Sequence, residues 1–127
     1  MIVVDTSALV AVVAREPRGA RCAEILRDNA LLVSAATLTE VLIVGSRPEF
    51  QGAMGPFVDA LEMVVVEVDR DFAERAAHAY RRWGKGFHPA RLNYGDSFSY
   101  ALAELYDCPL LFVGDDFART DIRSALG

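Results

Sequence analysis

Cysteine is scarce in this 127-residue chain: only Cys22 and Cys108 occur, far apart and in neither a CxxC nor a Cys/His pattern. With His78 and His88 as the only histidines, a structural zinc site lacks its thiolate partners. Both cysteines are therefore expected in the core as small hydrophobes. Long apolar runs are missing too. Charge or glycine interrupts every stretch before the ~20 residues that a membrane helix needs. No basic residue follows Met1, and Asp5 and Arg15 break the stretch where a secretory signal would be apolar, so a soluble cytoplasmic protein is expected, with no membrane contact. Repeats, low-complexity tracts and linkers are absent, which leaves one compact domain over residues 1–127. A hydrophobic fraction of 53% excludes a disordered chain.

Positive charge is the third shortage. Thirteen Lys and Arg face eighteen Asp and Glu, a net charge of −5, whereas phosphate binding normally draws on cations. The objection weakens if several carboxylates share a metal site, because a bound divalent ion reverses the local field. With four such acids set aside the remainder is nearly neutral, and charge balance leaves a nucleic-acid partner open.

What is present is a run of short apolar segments between helical patterns. Ile2–Val4, Leu31–Ser34, Val64–Val68 and Leu110–Val113 read as buried strands. Between them, helices are predicted over Ala8–Ala14 (capped by Thr6 or Ser7), Arg18–Asn29, Thr37–Gly45 and Asp69–Trp83. A stripe of Phe50, Met54, Phe57, Val58 and Leu61 forms a further helix that starts late or kinks at Gly55-Pro56, and it belongs to the core. Gly84–Gly95 reads as a polar loop, and Asp96–Asp107 as a helix stopped by Pro109. Short strands without alternation, separated by helices, predict a three-layer α/β/α fold around a central parallel sheet of about five strands.

In such sheets the ligand site lies beyond the carboxyl ends of the strands. Asp5 follows the first strand directly, and Asp115-Asp116 follow the last. Glu40 lies early in the helix after the second strand, and Asp96 opens the helix after the polar loop. Acids gathered at one rim cannot all stay ionised unless a cation neutralises them. Oxygen ligands select Mg²⁺ or Mn²⁺, which activate water and flank a phosphodiester during in-line displacement. Each acid alone has a plainer use: Asp5 and Asp96 as acids at a helix N-terminus, Glu40 as a solvated residue, Asp115-Asp116 as a turn.

The segments MIVVDTSALVA, TLTEVLIV, LNYGDSFSYALA and LLFVGDDFARTDI carry these acids in order and span nearly the whole chain. Together they resemble the PIN-domain nucleases, and most of all the VapC toxins of VapBC type II toxin–antitoxin modules. The resemblance implies a Mg²⁺-dependent endoribonuclease acting on structured RNA such as tRNA or rRNA, held inactive by a VapB-type antitoxin and forming a homodimer. It makes Asp5 and Asp96 the direct metal ligands, Glu40 the acid that completes the site, and Asp115 the fourth, with Asp116 as its alternative. Thr6 and Ser7, beside Asp5, are candidate hydroxyls for orienting a ligand or water, with helix capping as the plainer reading, and the likeness suggests Thr120 as another, with a turn role equally open. Lys85, His88 and Arg91, in the loop before Asp96, are candidate phosphate contacts, and Tyr94 a candidate for stacking on a base.

Two other classes remain. A different metal-dependent phosphoryl-transfer enzyme, a phosphatase or DNA nuclease, shares the acids; yet a haloacid-dehalogenase-type phosphatase wants DxDxT, and here Asp5 is followed by Thr6-Ser7. A non-catalytic RNA-binding regulatory domain would be expected to have lost one of the three principal acids, and none is lost.

Overall fold

The computed structural model describes every residue, Met1–Gly127. Four parallel strands, β1 (Ile2–Val4), β2 (Leu31–Ser34), β3 (Val64–Val66) and β4 (Leu110–Leu111), form one sheet in the order β3-β2-β1-β4. Ile2 pairs with Leu31 and Val3 with Leu110, so β1 is central and β1 and β4 end side by side. Six helices cover the sheet: α1 (Thr6–Val13), α2 (Gly19–Asp28), α3 (Ala35–Gly45), α4 (Met54–Leu61), α5 (Arg70–Trp83) and α6 (Tyr94–Tyr106). No helix is long and apolar enough to cross a membrane.

Because successive strand residues point to opposite faces, the strands feed two cores. Val3, Leu32, Leu110 and Phe112 pack with Phe72 and Ala76 of α5 and with Phe98 and Leu102 of α6. Ile2, Val4, Leu31 and Leu111 pack on the other face with Leu9, Ile25, Val41 and Met54, from α1 to α4. This double burial explains why β1, β2 and β4 read as apolar runs, whereas Val64 and Val65 of the edge strand β3 stay exposed. Cys22 and Cys108 lie one in each core as free thiols.

Several boundaries differ from the sequence reading, each for a local reason. The Asp5 carboxylate caps α1 by accepting from the Ser7 amide, so neither Thr6 nor Ser7 is the cap. The apolar stripe from Phe50 splits into a 3₁₀ turn at Pro48–Phe50 and α4, separated by Gln51 and Gly52 at positive φ; Pro56 falls in the first turn of α4, where its missing N–H costs nothing. Helix α6 begins at Tyr94 rather than Asp96 because Asn93 caps it. The segment 84–95 is a closed turn, with Lys85 N–H donating to the Leu92 carbonyl and Leu92 N–H to that of Trp83. The place of a fifth strand is taken by a single parallel bridge between Leu110 and Ser124.

Candidate active site at the carboxyl edge of the sheet

Asp5 emerges from β1 at the sheet centre and is only 3% exposed. Its Oδ2 accepts from the Ser7 amide (3.0 Å) and hydroxyl (2.6 Å), and its Oδ1 accepts from the Ser99 hydroxyl of α6 (2.7 Å). A carboxylate held by three donors is fixed in orientation. The Ser7 hydroxyl also accepts from the Val113 amide (3.0 Å), which ties Asp5 to the loop that leaves β4. That loop carries Asp115 and Asp116. A cavity of about 310 Å³ opens between these groups, lined by Asp5, Ser7, Asp96, Asp115 and Asp116.

Asp96 enters from α6. Its Oδ2 accepts from the Asn93 amide (3.0 Å) and the Asn93 side chain accepts from the Asp96 amide (2.8 Å), a reciprocal capping box that fixes the first turn. Burial, and then the charges of Asp5, Asp116 and Glu40, push the Asp96 carboxyl from its ordinary range up to about 7, against the stabilising Asn93 bond. Of the acids after β4, Asp116 contributes to the raised carboxyl of Asp96, and both Asp115 and Asp116 line the cavity. Glu40 comes from the second turn of α3. Its carboxylate accepts from the Thr6 hydroxyl and lies against Gly95, where any Cβ would collide with it. Gly95 is thus a seat for Glu40.

The donor set is entirely oxygen and lacks a cation. All six ion pairs of the chain lie elsewhere and none includes Asp5, Glu40, Asp96, Asp115 or Asp116. Nor do any three His, Cys, Asp or Glu side chains close into a ready-made metal cage. An open rim of this kind fits a hydrated hard cation, which takes one or two carboxylates and keeps its waters, and does not fit zinc.

Comparison with known proteins agrees with this geometry. The PIN-domain family model matches residues 2–123. Ribonuclease VapC42 of Mycobacterium tuberculosis is 44% identical over 129 residues, covering 98% of this chain and 98% of that one. This chain belongs to the PIN-domain family, among the VapC ribonucleases. The fold is shared with M. tuberculosis VapC20, a sarcin–ricin loop cleaving toxin, at 20% identity with a TM-score of 0.75 over 96% of both chains. A toxin–antitoxin complex from Klebsiella pneumoniae also superimposes, at 17% identity and a TM-score of 0.74, over 100% of this chain and 98% of that one.

Within this PIN domain the weaker candidates separate. The Thr6 hydroxyl is in the site, on Glu40. The Thr120 hydroxyl is not: it donates to the Phe117 carbonyl (2.7 Å) and accepts from the Ile122 amide (3.2 Å), closing a turn. Asp121 pairs with Arg82 (3.4 Å) and accepts from Tyr100. His88 is spent on the loop: its Nδ1 accepts from the Ala90 amide (2.9 Å) and its ring stands edge-on to Trp83, centroids 4.6 Å apart. Lys85 and Arg91 are exposed and make no ion pair. Three hydroxyls went unread in the sequence: Ser99 on Asp5, Thr37 on Ser99 (3.2 Å) and Ser34 on Thr37 (3.1 Å), a buried chain from Asp5 to the cap of α3. The signal was available, since Ser99 follows Asp96 by three residues and so shares its helix face in an otherwise apolar stretch.

Proposed function

We propose that residues 1–127 act as one cytoplasmic PIN domain, the toxin of a toxin–antitoxin module, hydrolysing phosphodiester bonds within structured RNA such as tRNA or rRNA. The observation that carries this reading is the set of carboxylates at the strand ends with no cation to balance them. Relatives named as ribonucleases support RNA as the substrate. Asp5 and Asp96 hold a divalent ion, magnesium or equally manganese, with Glu40 completing the site and Asp116 as the fourth acid in preference to Asp115. The bound ion supplies water activation and neutralises developing phosphate charge. The chain's own part is geometric. Ser7 and Ser99 hold Asp5 in place, Asn93 aims Asp96, and Thr6 with Gly95 sets Glu40. Lys85 and Arg91, free of ion pairs, contact phosphates on the flank.

The likeness to solved toxin–antitoxin complexes supports a VapB-type antitoxin as the partner that holds the toxin inactive. A homodimer is the proposed assembly. The test is direct: purified protein cleaves tRNA or rRNA in magnesium, and Asp96→Asn lowers the rate by ~100-fold or more with an unchanged circular dichroism spectrum. Undiminished cleavage in EDTA, or by Asp96→Asn, overturns the metal mechanism.

A further inference from the structure

On α6, Asp96 and Ser99 face the acids, and Tyr94 and Phe98, four residues apart, share another face. There a second hollow of about 420 Å³ opens beside the first turn of the helix. Its floor is Phe98 with Ala73 and Ala77 of α5, and its walls are Tyr94, Phe87 and the stem of Arg81. The hollow exists because α5 carries alanines where longer apolar residues would fill it. Tyr94 is 74% exposed and Phe87 is 60% exposed, two large aromatics that burial has not claimed. Each is nonetheless aimed by an aromatic neighbour: Tyr94 meets Phe98 edge-on at 5.1 Å, and Phe87 meets Tyr80 edge-on at 6.0 Å.

We propose that this hollow is a nucleobase subsite, which takes one unstacked base of the RNA from a nucleotide flanking the scissile phosphate. The proposal rests on the ribonuclease reading and adds how the substrate is gripped. Three features favour a base over another occupant. The hollow opens at the same end of α6 as the acid site, since Tyr94 and Asp96 both belong to the first turn of that helix, about 3 Å apart along its axis. It is walled by π-faces, which accept any base by stacking, and single-stranded RNA offers bases splayed out of the helix. Arg81 also lines the hollow and has no ion-pair partner, which leaves its guanidinium available to a phosphate of the same strand. An acidic chain that gains little from long-range attraction to RNA has the more need of such a contact.

The experiment uses the full chain and two substitutions that leave the acids alone. Tyr94→Ala removes one wall, and Ala77→Leu fills the hollow from an exposed helix position that tolerates leucine. The first readout is cleavage of tRNA and rRNA against hydrolysis of bis(p-nitrophenyl) phosphate, a diester with no base. Both variants are expected to lose ~5- to 100-fold in kcat/KM on RNA and to match the parent on the base-free diester. The second readout is quenching of 2-aminopurine in a short single-stranded RNA, measured in the Asp96→Asn background so that the probe is not consumed. Quenching by Asp96→Asn that is lost on adding Tyr94→Ala supports the subsite even if the parent cuts no RNA, in which case only the ribonuclease reading fails. RNA cleaved equally by all three proteins, or equal quenching with and without Tyr94, overturns the subsite and leaves the nuclease intact. A fall in solution mass for Ala77→Leu or Tyr94→Ala also overturns it, by showing the hollow to be a contact between copies of this chain.

Discussion

Two groups of acids on this chain are built to opposite rules. At one end of α6, Asp121 and Glu104 face Arg82 at 3.4 and 3.9 Å, and Tyr100 donates to Asp121. Every charge there has a partner and stands half in solvent, where such pairs stabilise by at most about 1 kcal/mol. At the other end, Asp5, Glu40, Asp96 and Asp116 converge with hydroxyl and amide donors but no cation. The first arrangement has its cation built in, and the second has none among its own side chains. Hydrogen bonds aim the acids without neutralising them, and burial first, then the charges of Asp5, Asp116 and Glu40, push Asp96 up to about 7.

The contrast is broken most severely at Asp5. Asp5→Asn keeps a good helix cap and similar size, and it removes the charge. RNA cleavage is expected to fall ~100-fold or more, with thermal stability within a few degrees of the parent; loss of the fold instead would make Asp5 a structural residue. Gly95→Ala is expected to act next most strongly. The added methyl meets only the end of the Glu40 side chain, so the carboxylate swings away; kcat should drop ~10-fold while stability, read by urea denaturation, changes little. A pH effect comes third. The folded state holds the Asp96 proton up to about pH 7, whereas the unfolded chain releases it near pH 4. Between those values the native state binds more protons, so metal-free stability falls as pH rises through the window. Melting in EDTA should be a few degrees lower at pH 8 than at pH 5.5, and magnesium or Asp96→Asn should flatten that slope. The smallest effect belongs to the paired end. Asp121→Asn should cost about 1 kcal/mol or less and leave cleavage unchanged, since its pair with Arg82 stands half in solvent and asparagine still accepts from the buried Tyr100 hydroxyl.

Much of the fold was legible because double burial writes itself as unbroken apolar segments, which marked β1, β2 and β4. The edge strand β3, with Val64 and Val65 exposed, was marked by its β-branched run. Less legible were the ends. Val64–Val68 and Leu110–Val113 are longer as apolar runs than as strands, because hydrophobicity continues into turns that pack on the core without joining the ladder. The start of α6 was misplaced by two residues because Asn93 was read as loop polarity rather than as a cap. Thr120 looked like a site hydroxyl for want of any signal that Phe117 and Ile122 would claim it.

The identity of the acids, their order and their position after strands follow from the sequence alone, since parallel strands place whatever follows them at one edge. Which of them touch was decided by tertiary structure. Asp5 and Ser99 are ninety-four positions apart and meet at 2.7 Å only because α6 crosses the end of β1. Glu40 reaches the rim only because position 95 lacks a side chain. Sequence fixes the chemistry of a residue and the local path of the chain. Contact between distant segments depends on how the helices pack across the sheet, and no local pattern encodes that.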